Sequence, residues 1–261
     1  MPLNEPSQPL PSHPMSPLPV LFVDDGGVLN DNGRRGPEYL RLLGEYLPSR
    51  LGGTASQWKA ANQAVFAPLF ADVQSRIGTF ANFADFQREY ELRWIGGMCA
   101  HVGVPTPPPD AAIELTRAAA AHVERHADAA IDGAADAVRK LRNAGYLLHT
   151  ASGTPSWELE AILTRMGVRP LFATLYGPDL IDHVKHGPEY YRRIFRHAGV
   201  SPEQALVIES SPTACGWARS TGARAVWITP ADREGSTGES ASALADLAAA
   251  LVNAHVEQSP R

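Results

Sequence analysis

The feature that most limits the fold of this 261-residue chain is a regular exchange of short apolar runs and helical stretches beyond residue 110. Helical spacing over 112–126 and 133–143 leads into the run 146–150, and a helix over 157–166 follows it. Further apolar runs at 171–176, 205–208 and 223–229 alternate with helical stretches at 189–197 and 213–220. Strands alternating with helices of this length build βαβ units, and hence a parallel sheet. Residues 241–255, rich in Ala and Leu, predict a last helix lying on that sheet. Near the N-terminus, Val20-Leu21-Phe22-Val23 is wholly apolar and stops at Asp24-Asp25-Gly26-Gly27. That is the pattern of a central strand buried on both faces. The fold class expected is α/β, with a Rossmann-like parallel sheet as its core.

Between the first strand and the repeating region the pattern changes. Tyr39, Leu40, Leu42, Leu43, Tyr46 and Leu47 have helical spacing, ended by Gly52-Gly53. Thr54 or Ser56 then caps a helix carrying Trp58, Val65, Phe66, Leu69 and Phe70. A third amphipathic run carries Phe80, Phe83, Phe86, Tyr90, Trp94 and Ile95, and prolines at 105 and 107–109 punctuate the chain after it. Aromatics at this spacing read as helical core. The division expected is a core from 20–36 and 110–261, with a smaller helical cap over 37–109. Residues 1–19 carry Pro2, Pro6, Pro9, Pro11, Pro14, Pro17 and Pro19 and read as a disordered, extended tail.

Composition narrows the partners. A net charge of -5 gives no broad basic footprint for nucleic acid, so an anionic small molecule would need a local cluster of donors. No apolar run approaches the roughly 18–20 residues that span a bilayer, and no basic-then-apolar leader opens the chain. Cys99 and Cys215 have no metal-binding spacing and read as reduced thiols. A cytoplasmic protein is expected.

In an open parallel sheet, ligands bind beyond the carboxyl ends of the strands. The polar residues there are Asp24 and Asp25, then Thr150 and Ser152, then Glu209, Ser210 and Ser211, with Lys185 in the loop after the third strand. A carboxylate such as Asp24 can attack phosphorus or carbon to give a covalent intermediate that water cleaves. Attack on an anion needs cations and donors around it. Lys185, the Thr150 hydroxyl and the N–H groups of Gly26 and Gly27 can supply them.

Four segments then carry a specific resemblance. The run from Val20 to Leu29 resembles the first motif of the haloacid dehalogenase superfamily, an apolar strand followed by D-x-D-G-V/T-L. Leu147 to Gly153 resembles the second, a strand ending in Thr or Ser. Lys185-His186-Gly187-Pro188-Glu189-Tyr190-Tyr191 is similar to K-P-x-P-x-x-Y, and Glu209-Ser210-Ser211-Pro212, continuing to Ala218 and Gly222, is similar to the fourth. The order and spacing match over residues 20–33 and 110–230, and the helical block falls where this family inserts its cap. The resemblance implies Asp24 as nucleophile, with Thr150 and Lys185 as catalytic partners; Gly26, Gly27 and Ser152 at the strand ends and Arg34 at the junction with the cap are expected against the substrate. It also implies a Mg²⁺ site from the Asp24 carboxylate, the Gly26 carbonyl and Glu209.

Two departures bear on the reaction. Gly26 stands where the family's phosphatases carry a second Asp, their acid and base. Ser210 stands where they carry a metal-binding Asp. Family members that cleave carbon–halogen bonds also lack the second Asp and carry Ser-Ser here. Their substrate-carboxylate Arg has only Arg34, Arg35 and Arg50 as candidates. The expected function is a phosphatase of a small phosphorylated metabolite, through an aspartyl-phosphate on Asp24. The alternatives are a metal-independent dehalogenase-type hydrolase, or a binding protein on a catalytically degenerate fold.

Overall fold

The structure is a computed structural model that describes residues 18–229, 240–241 and 243–258. Most of the proline-rich tail, residues 1–17, lies outside the described residues. The elements run β1 (Val20–Val23), α1 (Asn32–Tyr46), α2 (Pro48–Leu51), α3 (Ala55–Ser75), α4 (Phe83–Val102), α5 (Pro109–His126) and α6 (Ala134–Asn143). They continue as β2 (Leu148–Ala151), α7 (Ser156–Arg165), β3 (Thr174–Tyr176), α8 (Pro188–Ala198), β4 (Ala205–Glu209) and α9 (Pro212–Arg219). The chain closes with β5 (Arg224–Ile228), β6 (Ser240–Ala241) and α10 (Leu244–Gln258).

The six strands among the described residues are all parallel, in the order β3-β2-β1-β4-β5-β6. The chain winds outward from β1 to β3, then crosses back to β4 on the other side of β1. The carboxyl ends of β1 and β4 therefore flank the crevice where the winding reverses. Alternation fills both faces. Leu21 and Val23 of β1 join Leu206 and Ile208 of β4 in one layer, covered by Val138 and Leu141 of α6, Leu159 and Ile162 of α7, and Leu244 of α10. Phe22 and Val207 face the other way, against Tyr190, Tyr191, Ile194 and Phe195 of α8 and Cys215 and Ala218 of α9. Each such side chain stabilises the fold by about 1.5–3 kcal/mol on burial. His149 of β2 belongs to this second layer, stacked on Phe22 with ring centroids 5.2 Å apart. Burial lowers its pKa. Both cysteines are buried and free.

Helices α1, α3, α4 and α5 pack about a separate apolar cluster that includes Leu43, Leu47, Trp58, Trp94, Ile95 and Met98. The two indoles are core with satisfied donors. Trp58 Nε1 donates to the Gly52 carbonyl at 2.8 Å, and Trp94 Nε1 to Asn62 Oδ1 at 2.8 Å. Thr54 starts α3 with a capping box closed by Gln57. The cluster extends past the boundary expected at residue 109, because Ala112, Ala119 and Val123 of α5 belong to it. The proline run starts that helix rather than dividing the chain, since Pro109 stands at its first position, where a missing N–H costs nothing. Among the described residues no helix is long and apolar enough to cross a membrane.

Candidate active site

Strand β1 delivers Asp24 to the crevice, and the Asp24 N–H donates to the Ile208 carbonyl at 2.9 Å, tying it to β4. The chain then turns tightly. The Asp25 carbonyl accepts from the N–H groups of Val28, Leu29 and Asn30 at 3.2, 2.8 and 3.0 Å. Gly27 sits at φ 79°, and a Cβ there would come within 2.6 Å of Ser210 Cβ, so both conformation and contact require glycine. Asp25 points away from Asp24, as strand alternation requires. It is fully buried and accepts from Asn30 Nδ2 at 2.6 Å and Arg35 Nη1 at 2.9 Å.

Lys185, carried by the loop before α8, bridges the crevice. Its ammonium meets Asp24 Oδ1 at 2.9 Å, Glu209 Oε1 at 2.6 Å and the Ala151 carbonyl at 3.0 Å. Three acceptors match its three N–H donors. Burial alone would favour the neutral amine, but the charges of Asp24 and Glu209 overcome this and raise its pKa, keeping it protonated. Glu209 is fully buried at the end of β4 and also accepts from the Tyr191 hydroxyl at 2.6 Å. Burial first, then the charge of Asp24, pushes the Glu209 carboxyl up to about 8. Its Oε2 is buried and has no hydrogen-bond partner. Ser210 donates its hydroxyl to the Gly26 carbonyl at 2.6 Å.

Asp24, Gly26, Lys185 and Glu209 thus converge at the ends of β1 and β4. The other expected site residues are engaged elsewhere. The Thr150 hydroxyl donates to the Tyr176 carbonyl at 3.2 Å, and Ser152 Oγ accepts from the Thr154 N–H at 3.1 Å. Gly27 gives its N–H to the Asn30 carbonyl at 2.6 Å. Arg34 is half exposed and pairs with Asp31 at 3.3 Å and Asp132 at 3.6 Å. Arg35 is held by Asp25, Glu124 and, at 4.0 Å, Glu158. Burial raises the pKa of all three acids, Glu158 to about 8.

The groups expected to ligate Mg²⁺ are otherwise engaged. The Gly26 carbonyl already accepts the Ser210 hydroxyl, and an ammonium lies within hydrogen-bond distance of both carboxylates. Among the described residues no three His, Cys, Asp or Glu side chains gather as a metal cluster. A Mg²⁺ ion held by one or two carboxylates and water would have to share Asp24 and Glu209 with the Lys185 ammonium.

Tyr191 and Ser210 were the partners that sequence reasoning left without a role. Tyr191 closes the third motif and could have been found there. The Ser210 contact with Gly26 joins positions far apart in the chain and has no local signal.

A parallel sheet of this winding order, with a carboxylate and a lysine at its reversal point, defines an α/β enzyme core beside a helical layer. The chain belongs to the haloacid dehalogenase-like hydrolases, whose family model matches residues 45–215. No curated protein matches the chain in sequence. Solved structures share the fold. An L-2-haloacid dehalogenase from Xanthobacter autotrophicus is 15% identical with TM-score 0.60, covering 89% of this chain and 97% of that one. The hydrolase YfnB from Bacillus subtilis, bound to magnesium, is 20% identical with TM-score 0.62, covering 90% and 99%. CbbY from Rhodobacter sphaeroides, in complex with phosphate, is 18% identical with TM-score 0.56, covering 88% and 96%.

Proposed function

We propose that this chain is a metal-independent hydrolase in which Asp24 displaces a weakly basic leaving group, a halide in the first instance, from carbon. The observation that carries this reading is the Lys185 ammonium seated between Asp24 and Glu209, where it supplies the positive charge a metal would otherwise bring, with the Ser210 hydroxyl on the Gly26 carbonyl beside it. Asp24 would form a carbon–oxygen bond while the carbon–halogen pair departs as halide. Water then attacks the Asp24 ester carbonyl, releasing the alcohol and a proton and restoring the carboxylate. Halide needs no proton to leave, so the glycine at position 26 costs this reaction nothing. A phosphate monoester is different, because its alkoxide needs an acid and its charge needs more than one ammonium. Lys185 would orient the attacking carboxylate, and Tyr191 and Glu209 would hold Lys185.

One observation favours the alternative, a Mg²⁺-dependent phosphatase acting through an aspartyl-phosphate on Asp24. The buried Glu209 Oε2 has no hydrogen-bond partner and offers an oxygen ligand. The test is a panel of 2-halo acids and phosphate monoesters, offered to the wild type and Asp24→Asn with EDTA or Mg²⁺. Halide release that survives EDTA and vanishes in Asp24→Asn is the expected result. Phosphate release requiring Mg²⁺ would overturn the proposal in favour of the phosphatase. Turnover of neither class would favour a binding role.

A further inference from the structure

The space beside Gly26 is filled by another residue. A Cβ built on Gly26 would meet, as its three nearest atoms, Asn32 Oδ1 at 2.8 Å, Asn32 Nδ2 at 3.1 Å and Asn32 Cγ at 3.4 Å. All three belong to one side-chain amide. Gly26 lies two residues beyond Asp24 in the turn that follows β1, so this amide occupies the place where a side chain at position 26 would project. Asn32 is the first residue of α1, and the Asp31 side chain caps that helix by accepting from the N–H groups of Gly33 and Arg34. The capping is therefore done by its neighbour. The Asn32 side chain is exposed and makes no hydrogen bond to protein among the described residues.

We infer that Asn32 is a catalytic residue of this centre, whose amide N–H donates to the departing anion. An amide cannot transfer a proton at neutral pH, but it stabilises a leaving anion by hydrogen bonding. It suits a halide and serves an alkoxide poorly. The inference rests on the carbon-centred reading above and extends it by assigning the leaving-group donor. It also accounts for an amide that lies against Gly26 with no protein partner of its own among the described residues.

The first test needs no turnover. In ¹⁵N–¹H spectra the Asn32 side-chain amide is assigned by its loss in Asn32→Ala, and sodium bromide is titrated at constant ionic strength. A saturable shift of that amide, not shared by the other asparagine amides, is expected. Asn32→Asp, similar in shape but anionic, should abolish bromide binding while keeping the fold. No saturable shift, or binding unchanged in Asn32→Asp, would overturn the assignment. The second test compares leaving groups. Asn32→Ala should lower chloride turnover about tenfold and iodide turnover only about twofold, because a lost donor is felt most by the more basic anion. Equal losses would mark a structural role and overturn it too. If the wild type releases no halide from any substrate, the carbon-centred reading fails by itself, and the bromide titration still decides the role of Asn32.

Discussion

Replacing Lys185 with Met removes the ammonium that bridges Asp24 and Glu209. The Lys185 side chain is 13% exposed and that of Glu209 is not exposed at all, so solvent cannot replace the lost partner fully. Removing one member of a buried ion pair costs about 3–5 kcal/mol when the other charge stays. Here the remaining charge can be neutralised, because the Glu209 carboxyl is already pushed up to about 8 with the lysine present. Protonation of Glu209 would reduce the cost to the unmet hydrogen bonds, about 1–3 kcal/mol. At neutral pH the net loss should be about 2–4 kcal/mol, a fall in Tm on the order of 10 °C for a chain of this size.

The pH dependence discriminates further. Between the unfolded value near 4.5 and the folded value of about 8, the native state keeps a Glu209 proton that the unfolded state has released. Wild-type stability therefore falls as pH rises through that window. Without the ammonium the folded value rises further, so the fall continues to higher pH in Lys185→Met. Thermal unfolding followed by circular dichroism at about pH 6 and about pH 9.5 should show a gap between the proteins that widens at the alkaline end. A gap of equal size at both would refute the reasoning, since it would show that Lys185 is not compensating a carboxylate.

Two other variants follow the same physics. Arg35→Met strands Asp25, Glu124 and Glu158 around an empty position. Urea unfolding should show a loss of about 3–5 kcal/mol at neutral pH that shrinks as pH falls and the acids, whose pKa values burial raises, take up protons. Gly27→Ala puts a methyl group 2.6 Å from Ser210 Cβ at a backbone angle that L-residues rarely adopt. It should cost about 1–3 kcal/mol in the same assay and lower turnover by displacing the loop that carries Asp24.

The sheet was legible because its strands are uninterrupted apolar runs, and a run buried on both faces has few other uses. Their limits moved where side chains had a better place. Tyr146 was expected within the second strand, yet it lies before the ladder and donates its hydroxyl to the Leu251 carbonyl. The third strand shortens to three residues because Pro170 sits in a 3₁₀ turn over Arg169–Leu171. Asp24, Lys185 and Glu209 could be picked out because polar residues at the ends of parallel strands have one common crevice. The partners that set their chemistry could not be. Ser210 on Gly26 depends on how closely the β1 and β4 loops approach, Tyr191 on Glu209 on how α8 packs against β4, and the Asn32 amide against Gly26 on how the turn after β1 folds back. Arg35 carried a substrate-binding expectation as a candidate. Its commitment to Asp25 in the turn after β1 and to Glu124 and Glu158 on two distant helices was invisible before the helices were packed.

The central claim is that Asp24 bonds covalently to carbon and is regenerated by water. It is tested most directly by turnover of a 2-halo acid in ¹⁸O-labelled water with EDTA present, followed by mass spectrometry of the peptide containing Asp24. The account predicts that ¹⁸O enters the Asp24 carboxylate and that the first turnover gives an unlabelled alcohol. Label in the alcohol from the first turnover, with Asp24 unlabelled, would mean that water attacks the substrate directly and would contradict it.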